Sequence, residues 1–171
     1  MKIFAAVVCA IALAVSASAQ QASRPKPAET ACPMRDAHSQ MNERSDKGMG
    51  FSQSATTHHF FVKADGGLIQ VEANDAADTA SRDEIRMHLE HIARAFQSGD
   101  FDIPMFVHDT TPPGAPEMKR LHRDIRYTFE ESAHGGRVVI SSANKGAIAA
   151  IHEFLRFQIA EHKTGDATEA Q

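Results

Sequence analysis

The sequence predicts an α+β fold: duplicated ββα units forming a four-stranded, mostly antiparallel sheet with two helices on one face. Three observations carry this. The segment Lys63-Ala64-Asp65-Gly66-Gly67-Leu68-Ile69-Gln70-Val71 matches Ser132-Ala133-His134-Gly135-Gly136-Arg137-Val138-Val139-Ile140, and a match of this kind marks a repeated supersecondary unit. In each copy a Gly-Gly turn joins two stretches of alternating apolar residues, which is a β-hairpin pattern. Downstream, residues 85–100 align with residues 151–166. Ile85, Leu89, Ile92 and Phe96 in the first, and Ile148, Ile151, Leu155 and Ile159 in the second, make the apolar stripe of an amphipathic helix. The helices stop at Ser98-Gly99-Asp100 and Thr164-Gly165-Asp166, where Gly supplies the stop. In the sheet Phe60 corresponds to Phe129, Ile69 to Val138 and Val71 to Ile140. Two helices on one face of the sheet bury all of these side chains together.

The chain opens on Lys2, an apolar run from Ile3 to Val15, and Ser16-Ala17-Ser18-Ala19. These are the parts of a secretory signal peptide, 1–19, cleaved near Ala19, which places the mature protein in the periplasm or outside the cell. The run is too short for a membrane span, and no later stretch is long and apolar enough. Residues 20–55 read as a flexible leader, rich in Pro, Lys, Ser and Ala at first, then polar and interrupted by Gly48 and Gly50. The duplicated domain is expected over 56–166, with 167–171 as a disordered tail. Between the repeats, the apolar stretch from Phe101 to Asp109 is expected to pack on the core. Pro112-Pro113 predicts a rigid turn, and a short helix with proline in its first turn follows over Pro116 to His122.

The formal net charge is −4. A mildly acidic domain with no block of like charge is no partner for nucleic acid or anionic lipid. Oligomeric state is not set by the sequence. Cys9 leaves with the signal, so Cys32 is the one thiol of the mature chain and no internal disulfide forms. Intermolecular pairing, metal ligation, a reactive thiol and an inert tail thiol all stay open for it. No nucleophile elbow, Walker loop or dinucleotide fingerprint occurs, and nothing pairs two carboxylates for acid–base work. Catalytic residues are therefore not assigned.

The chemistry lies in ten histidines and in the run Cys32, Met34, His38 and Met41. Thiolate, thioether and imidazole suit soft or borderline metals, cuprous copper above zinc. Cys32-Pro33-Met34 resembles the Cys-Pro-Met-His-Pro signature of heavy-metal-binding segments in bacterial metal-efflux proteins. Arg35 stands where that signature has His, and His38 and Met41 are placed to take its role. His58 and His59, adjacent in a strand, point to opposite faces. His58 aligns with Tyr127 and reads as a buried, hydrogen-bonded ring doing packing work; His59 shares the other face with Phe61 and is the better ligand or contact residue. His88 and His91 are three apart on a helix, a workable ligand pair, and align with Phe154 and Phe157. That asymmetry marks either a specialised site or positions that want a flat ring. His152-Glu153 lacks the second His of a zinc-protease helix, since Arg156 stands there. His162 reads as a cation at a helix C-terminus, His134 as a solvated turn residue, and His108-Asp109 as an oriented imidazole or a loop turn.

His152-Glu153-Phe154-Leu155-Arg156-Phe157-Gln158-Ile159 with Lys163-Thr164-Gly165-Asp166, and Met49-Gly50-Phe51 with Thr56-Thr57-His58-His59-Phe60, resemble small exported bacterial proteins of uncharacterised function. Some of those carry an aspartate carbamoyltransferase label. The label is rejected: that family has two α/β domains and a Ser-Thr-Arg-Thr phosphate loop, which this shorter chain lacks. The expectation is an exported, non-catalytic protein that binds copper or a similar transition metal, through Cys32, Met34, His38 and Met41 or through His59, His88 and His91. The alternatives are a partner-binding module that uses the sheet face or edges without metal, and, more weakly, a small metal-dependent hydrolase.

Overall fold

The computed structural model describes residues 33–171, with side chains from Ser39 onward. The expected signal peptide, the early part of the expected leader and Cys32 lie outside the described residues. Helix α1 (Pro33–Met49) leads into strands β1 (Thr56–Lys63) and β2 (Gly66–Ala73), then helix α2 (Thr79–Gln97). Short helices α3 (Asp102–His108) and α4 (Ala115–Arg120) bridge to β3 (Ile125–Glu131), β4 (Gly135–Ser142) and helix α5 (Lys145–His162). The sheet order is β1-β2-β4-β3, antiparallel throughout.

The duplication is visible as an internal two-fold. Ile69 pairs with its own counterpart Val138 at the centre of the β2–β4 ladder; on either side Gly67 faces Ile140 and Val71 faces Gly136, each pair being the image of the other. Asp78 caps α2 by accepting from Ser81 N–H, and Asn144 caps α5 by accepting from the Gly146 and Ala147 N–H groups, satisfying donors that a helix start leaves open. Ile85, Leu89, Ile92 and Phe96 of α2, and Ile151, Phe154, Leu155 and Ile159 of α5, join Phe60, Ile69, Val71, Tyr127, Val138 and Ile140 of the sheet in one core. Gly99 takes φ +80° just after α2, as a glycine stop requires; after α5 it is Lys163, at φ 53°, that turns left-handed, with Gly165 following.

Three expectations are corrected. The folded part does not begin at Thr56: α1 occupies half of the predicted leader, and its Met41 and Ser45, with Phe51 beyond it, are buried. The polar run hides a helix whose inner stripe is Met41, Ser45 and Met49. The Gly-Gly pairs are not the turns. The turns are Ala64-Asp65 and Ala133-His134, and each glycine pair opens the following strand. The C-terminal tail is docked. Phe60 N–H donates to Asp166 Oδ2 at 2.8 Å, Gln171 N–H to the Val62 carbonyl at 3.0 Å, and Arg156 Nε to the Thr168 carbonyl at 2.8 Å.

These contacts lay the tail along the free edge of β1. On the opposite edge the Gln97 side chain accepts from Tyr127 N–H and donates to the Ile125 carbonyl. Uncovered strand edges template association. Removing residues 164–171 is therefore expected to increase self-association, read as a rise in weight-average mass by sedimentation velocity; an unchanged mass would deny the tail a protective role.

Candidate functional site

A cavity of about 70 Å³ lies between the sheet and the helices. One ordered water needs about 10–15 Å³ on such a measure, so the space holds a small guest. Its walls are apolar except for four imidazoles (His58, His88, His108 and His162), the Met49 thioether and the Gln158 amide. β1 supplies His58, whose face of the strand looks at the helices. α2 supplies His88, one turn before the core residue Ile92. α3 ends in His108, and α5 supplies Gln158 and His162 four residues apart, hence on one face.

The internal two-fold explains why these rings meet. In the other half, Phe96, Tyr127 and Phe154 form an ordinary aromatic cluster, with Phe96 lying 5.7 Å from Tyr127 and 5.9 Å from Phe154. Their counterparts are His162, His58 and His88. Three carbon rings at one end of the core are thus three imidazoles at the other. The imidazole end is continuous: Phe51 stacks on His58 at 6.1 Å, His58 on His162 at 5.5 Å and 15°, and His162 meets His108 edge-on at 5.2 Å. His108 in turn meets Phe157 at 4.9 Å.

Burial disfavours the charged form of His58, His88 and His108. It pushes His58 down to about 4, with the neighbouring charge of His59 adding to the effect. It pushes His88 to about 4 as well, helped by His58 and His91. Burial lowers His108 too, and Arg44 adds to it, against the opposing pull of Gln158 and Glu161. A charged form loses its hydration there and gains too little in return.

His108 Nε2 lies 2.9 Å from Gln158 Oε1. A carbonyl oxygen accepts only, so this nitrogen carries the proton and Nδ1 keeps a lone pair. His108 Nδ1, His58 Nε2 and Gln158 Nε2 are buried without a hydrogen-bond partner. Ser45 Oγ and Tyr127 OH share that state, but among the described residues this cavity gathers three such atoms, each of which costs about 1–3 kcal/mol if nothing occupies the space. The Met49 sulfur has Gln53 Nε2 at 3.7 Å, a weak contact. His108 is oriented by Gln158, while Asp109 turns left-handed as the cap of α3. His162, in the last turn of α5 as expected, is also a wall of the cavity.

A second, outer chamber of about 400 Å³ shares His58 and His162 with the first. Met41, Gln53, His59, Lys163 and Thr164 are among its walls. Here His59 Nδ1 lies 2.9 Å from Asp166 Oδ1. Burial pushes the Asp166 carboxyl up, but hydrogen bonds from Phe60 N–H, Thr164 and His59 outweigh it, and the group titrates below the usual carboxylate range.

The sequence-expected site residues divide accordingly. His88 lines the inner cavity, Met41 and His59 line the outer chamber, and His91 is exposed and lines neither. Met34 and His38 lie on α1; Cys32 is outside the described residues. His58, His108, His162, Met49 and Gln158 were not expected as a group. Among the described residues no three His, Cys, Asp or Glu side chains converge as a metal-holding group, and no helix there is long and apolar enough to cross a membrane. No protein-family model matches this chain, nor does any curated protein or solved structure.

Proposed function

We propose that the protein binds a soft monovalent cation, cuprous copper, in the inner cavity, and turns over no substrate. The observation behind this is the set of unpartnered imidazole nitrogens, His58 Nε2 and His108 Nδ1, in a cavity with Met49 and no carboxylate. Imidazole and thioether are the donors that suit Cu(I). An uncharged, apolar surround penalises a divalent ion more than a monovalent one, because the desolvation cost rises steeply with charge. Zinc prefers four ligands in a tetrahedron, whereas Cu(I) is content with two or three, so a cavity without a converged triad of His, Cys, Asp or Glu suits it better. Among the described residues, the same lack of a converged His88, His91 and carboxylate set gives the hydrolase reading no support.

The test is titration of the reduced mature protein with Cu(I) against a coloured chelator. One ion per chain at submicromolar affinity is expected. His58→Phe combined with His88→Phe is expected to weaken it at least 100-fold, and Cys32→Ser to leave it unchanged. Loss with Cys32→Ser but not with the double variant would move the site to the N-terminal segment and sink the cavity reading.

A second reading, a partner-binding module, is favoured by the helix-free sheet face, where Phe61, Leu68 and Val139 lie side by side across three strands. On that reading Phe61→Asp abolishes the partner cross-link in the parent cell, and Cu(I) has no effect on it.

A further inference from the structure

We propose that the outer chamber is a transit site through which the cation reaches the inner cavity, crossing between the stacked rings of His58 and His162. This rests on the Cu(I) reading of the inner cavity and adds a route to it. The two chambers have His58 and His162 in common, so this ring pair is the partition between them. On the outer side stand a thioether and an imidazole, Met41 and His59; on the inner side stand Met49, His88 and His108. The donors are of one chemical kind on both sides, which is what stepwise ligand exchange of a soft ion requires.

The spacing fits as well. The ring centres of His58, His162 and His108 follow one another at 5.5 and 5.2 Å, so the three imidazoles line one continuous path. The outer chamber also differs in a way that suits a place of passage. It is much the larger, and polar groups line it, including Gln53, Thr57, Lys163 and Thr164. An ion there keeps part of its hydration; in the inner cavity it gives that up. The positive charge of Lys163 and the neighbouring Asp166 on His59 leave the chamber close to neutral, so it does not trap the ion on its way.

The groove beside β3, lined by Ala93, Arg94, Tyr127 and Phe129 among others, touches none of the four imidazoles.

The experiment is stopped-flow transfer of Cu(I) from a coloured chelator to the full mature protein, and back, in three variants. Met41→Leu keeps the volume and apolar character of a buried side chain, His59→Gln keeps a hydrogen-bonding group beside Asp166, and Met87→Leu changes an exposed methionine of α2 that lines neither chamber. A transit site changes both directions together. Loading and release are each expected to slow about tenfold in Met41→Leu and in His59→Gln, with the ratio of the two rates kept, and Met87→Leu is expected to match the parent. Uptake at the parental rate in both chamber variants would overturn the route while leaving the inner site standing. A change in the ratio would also overturn it, because Met41 or His59 would then hold the ion at equilibrium. Absence of any uptake by the parent protein would remove the inner-site reading itself.

Discussion

Acidifying the metal-free protein from pH 7 to pH 4 is expected to remove about 6 kcal/mol of folding stability, chiefly through two histidines. In the unfolded chain His58 and His88 titrate near the ordinary 6.5; in the native state burial holds both near 4. Between those values the unfolded chain takes up protons that the native chain refuses. The stability these groups contribute is therefore complete above about pH 6.5 and drains as pH falls towards 4. Every tenfold difference in proton affinity between the two states is worth about 1.36 kcal/mol, so each ring accounts for about 3 kcal/mol at the acid end. His108, lowered by burial, adds in the same direction. Such a loss is a large share of the roughly 5–15 kcal/mol that domains possess. The check is the urea midpoint measured from pH 7.5 to pH 4. His58→Phe with His88→Phe gives these two positions phenyl rings, as Phe154 already has at the counterpart of His88, and is expected to flatten most of that slope while keeping the fold. A double variant with the parental slope would show that these imidazoles are not the groups that refuse the proton.

The architecture was legible because it is written twice. A single Gly-Gly hairpin or a single amphipathic stripe is a weak signal, but the match of residues 63–71 to 132–140 together with 85–100 to 151–166 leaves few topologies, and the observed antiparallel sheet with its two long helices follows from it. The same alignment contained part of the site. It pairs His58 with Tyr127 and His88 with Phe154; taken further along the helices it pairs His162 with Phe96, and three rings changing from carbon to nitrogen together point to one place in space. What no alignment contains is His108. It lies in α3, between the repeats, where no counterpart exists, and it is held at the cavity by the packing of α3 on α1, where Arg44 Nε donates to the Val107 carbonyl, and by the His108–Gln158 bond to α5. Helix α1 was hidden for a different reason. Its inner stripe is Met41 and Ser45, both buried, and the partly buried Met49, and a serine among two methionines in a polar run does not read as an apolar face. Ser45 is wholly buried all the same.

Gly135→Ala is expected to cost about 3 kcal/mol, the upper end of what forcing one added carbon into a tight contact does. The reason lies in the internal two-fold. A Cβ on Gly135 would sit 2.1 Å from the Val71 carbonyl oxygen, and a Cβ on its counterpart Gly66 would sit 2.1 Å from the Ile140 oxygen. The obstacle in each case is backbone of the facing strand, which cannot swing aside as a side chain does. Gly135 has an ordinary φ, so its cost is steric alone; Gly66, at φ +151°, adds backbone strain and is expected to suffer more. Both contacts lie in the β2–β4 ladder, the seam that joins the two ββα units. Relief by strand separation would loosen that seam and with it the core beneath Ile69 and Val138. Gly146→Ala is the contrast: it lies in the first turn of α5, at an ordinary φ, and its Cβ would meet no backbone, only the Asn144 cap oxygen at 3.3 Å, so its cost is expected to be well below that of Gly135→Ala. Denaturant midpoints for the three variants, with amide exchange across β2 and β4, separate these outcomes. Near-parental stability for Gly135→Ala would mean that the two halves adjust to each other freely, and that the glycine pairs of the repeat answer to something other than the close approach of the central strands.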